Sequence, residues 1–240
     1  MLPKHSKLRN VQKLVLRAFS KKPDSFALTG GTALELYYLH HRFSADLDLF
    51  APIYNLDEID KIVSYVKSQT GAHIKLESEF RIQNHARVRF YSASFKGLKR
   101  SLKIDFVEDV LFKKPIIKRI DSIPVYSVEN IYLQKLTAIT GNRIEIDAIG
   151  REMVQGRMEA RDAFDVYMLS NKIEPLNIFL KKAPSYVQRG IVHWYRTFSR
   201  QDIKLGLLDL DIYKKKFDAK NMIIYLEDQI ERFAKGVIEE

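Results

Sequence analysis

The sequence predicts an α+β fold: a small mixed, largely antiparallel sheet flanked by helices, followed by a helical C-terminal region. Three observations carry this. Residues 73–82, 86–95 and 101–107 alternate apolar and polar side chains with period two, separated by short polar breaks, as in an antiparallel meander. Residues 4–20 and 57–70 instead repeat their apolar positions at helical spacing. From Lys172 onward only helical patterns remain. The organisation predicted is residues 1–126 as the sheet-bearing core with its N-terminal helix and residues 127–240 as the helical region.

The first helix places Leu8, Val11, Val15 and Phe19 toward the sheet, with Lys and Arg opposite, either solvated or turned to a substrate phosphate. Phe26-Ala27-Leu28 then reads as the end of a buried strand. A Gly30-Gly31 turn, a short helix through Tyr38, a polar loop and a second strand over residues 46–50 follow. Alternation puts Asp46 and Asp48 on one face of that strand and Leu47 and Leu49 on the other. Neighbouring carboxylates repel, and a divalent cation would turn the repulsion into attraction. Magnesium fits best, because it takes one or two carboxylates and leaves other positions to water and phosphate oxygens. A glycine pair at a helix start offers backbone N–H groups to those phosphates. Either half alone also describes an ordinary tight turn or a solvated edge strand. Strand, Gly-Gly, helix and Asp-x-Asp strand in that order are far more specific, and describe one site for magnesium triphosphate.

The helix over residues 57–70 faces Ile59, Ile62, Val63 and Val66 inward and stops at Gly71. In the last meander strand Leu102, Ile104 and Phe106 share one face, leaving Asp105 on the other. A strand over residues 123–126 leads to Ser127, the predicted N-cap of a helix over 128–140 that Gly141-Asn142 ends. A loop-prone segment with Gly150 and Gly156 precedes a helix over 158–170, where Arg161 and Asp165 lie one turn apart and so within pairing reach. Further helices are predicted over 174–182, 185–199 and 215–234, broken at Pro184 and near Gly206. Val192, Trp194, Tyr195 and Phe198 are expected in their core, and stacking on RNA bases is the less common use of such a cluster. His193 has no partner arrangement that suggests a metal.

Composition narrows the function classes. The chain of 240 residues has no cysteine, which excludes a disulfide framework and a thiolate metal site. It shows no N-terminal apolar segment and no run of membrane-spanning length, so a soluble cytoplasmic protein is expected. Net charge is +10, unevenly spread. Residues 1–27 hold seven basic residues against one acidic, and residues 75–119 twelve against five. The motif-bearing residues 28–74 reverse this, with three against six. An acidic centre within basic flanks suits a metal site serving a polyanion, nucleic acid first. General basicity is the plainer account.

The stretch GGTALELYYLHHRFSADLDLF resembles the signature of the AbiEii/AbiGii abortive-infection toxins, a branch of the DNA polymerase beta superfamily, with likeness running from about Phe26 to Leu169. The resemblance implies a polymerase-beta-like nucleotidyltransferase core in which Asp105, in its LKIDF context, is the third carboxylate beside Asp46 and Asp48. Three such groups can hold two magnesium ions about 4 Å apart. The implied chemistry is in-line transfer of a nucleotide from an NTP to a hydroxyl, with Asp105 nearest the acceptor and pyrophosphate leaving. By the same likeness, Gly30, Gly31 and Thr32 line the nucleotide site, Arg42 contacts phosphate and Ser44 orients the loop before the metal ligands. Lys135, in QKLTAI, neutralises triphosphate charge. In the Arg161-Asp162-x-x-Asp165 motif, Arg161 belongs to the nucleotide site, Asp162 works near nucleotide or acceptor and Asp165 braces the helix. The plain reading of each is a structural salt bridge. The expected acceptor is RNA, a tRNA 3′ end in particular, and the expected setting is a growth-inhibiting toxin with a possible cognate antitoxin. Nucleotidylation of a protein hydroxyl would use the same metal residues. A non-catalytic RNA- or partner-binding protein has little use for clustered carboxylates. A phosphodiesterase would have less need of the glycine turn.

Overall fold

The computed structural model describes residues 5–81, 86–141, 145–146, 152–153, 156–157 and 159–239. The start of the first predicted helix, the break at residues 82–85, Asn142, Gly150 and Met158 lie outside the described residues. The chain forms two compact units, Met1–Ile131 and Tyr132–Glu240.

The first unit is built on a seven-stranded sheet in the order β3-β4-β5-β2-β1-β7-β6. Its strands are β1 (Ala27–Thr29), β2 (Leu47–Ala51), β3 (His73–Phe80), β4 (Val88–Ser94), β5 (Leu102–Glu108), β6 (Ile117–Ile120) and β7 (Ile123–Tyr126). β2 runs parallel to β5 and β1 parallel to β7, and the other neighbouring pairs are antiparallel. The sheet is therefore mixed and largely antiparallel, with the meander β3-β4-β5 on one side. The Asp-x-Asp strand is not an edge strand: β2 lies between β5 and β1. One face of the sheet buries Leu47, Leu49, Leu102, Ile104 and Phe106, with Phe26 and Tyr91 edge-on to Phe106 at 5.2 and 5.7 Å.

Helix α1 (Ser6–Phe19) packs on α3 (Leu56–Thr70). α3 starts at Asn55, whose side chain accepts from the Asp57 and Glu58 amides, and ends at Gly71 with φ +65°. α1 is rotated from its expected orientation. Leu8 and Val11 are only half-buried, while Arg9 and Gln12 are buried beside Val15, Leu16 and Phe19. Helix α2 (Gly30–Ala33) runs into a wider π turn over Leu34–Leu39, closed by left-handed His40. β6 is absent from the sequence reading because its residues are mostly exposed and carry no alternation. Its hairpin with β7 turns through Asp121 and Ser122, both at positive φ, with no glycine to mark it.

The second unit contains most of α4 (Val128–Thr140), then α5 (Ala160–Lys172), α6 (Leu176–Lys182), α7 (Ser185–Thr197), α8 (Arg200–Leu208) and α9 (Ala219–Glu239). Ser127 caps α4, its hydroxyl accepting from the Asn130 amide at 3.3 Å. α5 and α9 are the helices expected over 158–170 and 215–234, with shifted ends. α8 is unanticipated, because Gly206 reads as a break. A Cβ there would lie 2.8 Å from the Ala160 Cβ, so Gly206 lets α8 approach α5 closely from within a continuous helix. Trp194 and Phe198 are buried and stacked at 4.4 Å. Val192 and Tyr195, expected in the core, are half-buried and His193 is exposed. Among the described residues, no helix is long and apolar enough to cross a membrane.

Candidate active site

The site in the first unit starts from strand register. Asp48 on β2 is the direct partner of Asp105 on β5 and of Thr29 on β1. Residues paired in register share a face, so Asp48 and Asp105 stand side by side on the face opposite Leu47, Leu49, Ile104 and Phe106. Asp46 precedes β2, and the Thr32 hydroxyl donates to its carbonyl. Burial first, then the charges of Asp48 and Asp46, push the Asp105 carboxyl up from 3.8 to about 7, with Lys103 opposing.

The glycine pair closes on these carboxylates. Gly30 has φ +69°, and a Cβ there would lie 2.2 Å from Asp48 Oδ2. Glycine is thus required by conformation and by space. A Cβ at Gly31 would lie 2.8 Å from both Arg42 Nη2 and Ser44 Oγ. Gly30, Gly31, Thr32, Arg42, Ser44, Asp46 and Asp48 therefore gather at one end of β1 and β2.

A buried polar clamp, missed in the sequence, holds the loop that delivers Asp46. Glu35 and Arg9, 1% and 4% exposed, form an ion pair. Glu35 also accepts from the Ser44 amide at 2.8 Å, and Gln12 Nε2 donates to the carbonyls of Ser44 and Ala45 at 3.0 and 2.8 Å. The available signal was Glu35 itself, an acidic residue inside the apolar run LELYYL.

The donor set is that of a hard divalent cation. Three neighbouring carboxylates, one of them raised by burial and then by the charges of the other two, are a set that such an ion would suit, and the bare Gly30 backbone makes room for Asp48 itself. Among the described residues, no three His, Cys, Asp or Glu side chains are drawn tightly enough together to chelate an ion as they stand.

Lys135, Asp162 and Asp165 form a separate cluster within the second unit. The Lys135 ammonium, on a residue 8% exposed, lies 2.7 Å from Asp162 Oδ1 and 2.9 Å from Asp165 Oδ2, and both aspartates are fully buried. Burial pushes the Asp162 carboxyl up, but Lys135 and Arg157 outweigh it and hold it below the usual carboxylate range. Arg161 pairs with Glu159 at the start of α5, while Asp165 turns to Lys135. The turn-spanning Arg161–Asp165 pairing allowed by spacing thus gives way to these two pairs.

Comparison with known proteins fits this architecture. A presumed nucleotidyltransferase from H. pylori superposes with TM-score 0.62 at 18% identity, over 100% of this chain and 99% of that one. JHP933 from Helicobacter pylori does so with TM-score 0.62 at 16% identity, over 100% and 97%. At such identities the likeness establishes the fold. Among curated proteins none matches the chain. The sequence model of the family described as nucleotidyl transferase AbiEii toxin, type IV TA system, matches residues 14–235, nearly the full length. The chain belongs to the AbiEii nucleotidyl transferase toxin family.

Proposed function

We propose that this nucleotidyltransferase is magnesium-dependent and moves a nucleotide from an NTP to a hydroxyl of RNA, with a tRNA 3′ end as the preferred acceptor, and that a cognate antitoxin opposes it. The observation that carries the reading is the register of Asp48 against Asp105 beside the Gly30 turn. Asp46, Asp48 and Asp105 are the proposed metal ligands, for two ions. Bound magnesium supplies neutralisation of the triphosphate and a more acidic attacking hydroxyl.

The chain's own groups do the rest. Backbone N–H groups of Gly30, Gly31 and Thr32, with Arg42 and Ser44, hold the phosphates. The acceptor oxygen bonds to the α-phosphorus as the bond from that phosphorus to the β-phosphate oxygen breaks, and pyrophosphate leaves. The hydroxyl proton passes to Asp105, the carboxylate proposed nearest the acceptor. The parts proposed for Lys135, Asp162 and Arg161 in nucleotide handling rest on the family likeness. RNA is favoured as acceptor because the flanks of the acidic site are rich in Lys and Arg.

The test incubates the protein with each labelled NTP, magnesium and total cellular RNA, beside Asp48→Ala. Label entering RNA with the wild type and not with the variant is expected. Equal labelling by both refutes the site, and label on protein alone moves the activity to a protein hydroxyl.

A further inference from the structure

Beyond Asp105, on the side away from the glycine turn, the carboxylate face of the sheet becomes aromatic. Phe90 on β4 is the register partner of Asp105, and Phe80 on β3 pairs with Val88 two residues along β4. The two rings meet edge to face at 5.8 Å. Phe90 is half-buried and Phe80 is 49% exposed. Most phenylalanines are buried, so this exposure beside a reactive carboxylate needs a reason.

A β-bulge produces the arrangement. The β3–β4 register shifts between Leu76 and Ser78, with Leu76 opposite Tyr91 and Ser78 opposite Phe90. Before the bulge, even-numbered β3 residues point to the buried face, as Ile74 does opposite Ala93. After it, even-numbered residues point to the carboxylate face. Without the extra residue, Phe80 would sit on the opposite face. The bulge thus turns the exposed Phe80 ring to the carboxylate face, against Phe90 and one row along the strands from the row Thr29, Asp48, Asp105, Phe90.

Order along that row fixes the occupant. The glycine turn lies at the β1 end, the carboxylates in the middle and the aromatic pair at the β4 and β3 end. Neighbouring strands lie about 4.8 Å apart, so Phe90 is one strand beyond Asp105 and about three strands from the glycine turn. A triphosphate on the glycines and an acceptor hydroxyl at Asp105 leave the rings to whatever carries that hydroxyl. Exposed Lys103, two residues before Asp105 on β5, adds a cation for the phosphate that follows.

We propose that Phe80 and Phe90 form a stacking platform for the terminal unpaired base of the acceptor RNA. This deepens the RNA reading above and rests on it for the acceptor's identity.

The test uses the full chain without NTP and a single-stranded RNA ending in 2-aminopurine, whose fluorescence is quenched on stacking. The wild type should quench it. Phe80→Ala should weaken binding about tenfold, within the range of base–aromatic stacking, and Phe80→Trp should restore it. In the transfer assay, Phe80→Ala should raise KM for RNA by a similar factor and leave KM for NTP unchanged. No quenching by the wild type, full quenching by Phe80→Ala, or a rise confined to KM for NTP would each overturn the platform. Quenching that depends on Phe80, with no label transferred to RNA, would uphold the platform and overturn the catalytic reading.

Discussion

Replacing Asp105 with Asn should stabilise the metal-free protein while abolishing transfer. The Asp105 carboxyl is raised from 3.8 to about 7, which at 1.36 kcal/mol per unit gives an upper bound of about 4 kcal/mol. The group is partly solvated, and screening reduces this to about 2 kcal/mol. A raised carboxyl binds its proton more tightly in the folded state. The penalty is therefore absent at acid pH, grows between about pH 4 and 7, and is complete above 7. In EDTA at pH 8 the variant should melt several degrees above the wild type, since about 1 kcal/mol moves Tm by roughly 2–4 °C at this chain length. At pH 4.5 most of the gap should close. Magnesium should raise the wild-type Tm more at pH 8 than at pH 5, and should do much less for the variant. Differential scanning calorimetry across pH, with EDTA or magnesium, reads all of these. A variant no more stable at pH 8, or equally stabilised at pH 4.5, would refute the electrostatic argument.

Gly30→Ala forces a Cβ to within 2.2 Å of Asp48 Oδ2 at φ +69°. It should cost about 1–3 kcal/mol and remove activity, read by urea unfolding and label transfer. Arg9→Met leaves the buried Glu35 carboxylate without its cation and should destabilise by about 3–5 kcal/mol, and Arg9→Met/Glu35→Leu should recover much of that in the same unfolding assay. Lys135→Met leaves Asp162 and Asp165 buried without their shared cation and should cost about 3–5 kcal/mol at pH 7. Because the wild-type Asp162 carboxyl is held low, its stabilising part is present above the ordinary carboxylate range and is lost as pH falls through the lowered value. Stability curves of the Lys135 variant should lack that acid-side loss.

Elements with strong periodicity were legible. Alternation located β3, β4 and β5, and the order of glycine turn and Asp-x-Asp located the acidic end of the candidate site, where Gly30 and Asp48 meet. β6 was not legible, because an exposed strand turned by Asp121 and Ser122 carries neither alternation nor glycine. α8 was hidden because Gly206 spells a break in sequence and a close helix crossing in space. The Arg9–Glu35 clamp escaped notice because charge at helical spacing normally marks a solvated face, whereas pairing here lets two charges lie inside. Platform residues Phe80 and Phe90 were assigned to strands, but only the bulge decides which face Phe80 occupies.

The π turn over Leu34–Leu39 makes this part of the chain sensitive to length. Such a turn holds one residue more than an α-helical turn, and each residue of an α-helix advances the chain by about 100°. Deleting one residue between Leu34 and Leu39 would let the turn close as an α-helical one with its flanks roughly in place, whereas inserting one more would swing everything after it around the axis, Arg42 and Ser44 included. Point changes on its outer side and a single-codon deletion should be borne, whereas a single-codon insertion there should be as damaging as losing a carboxylate.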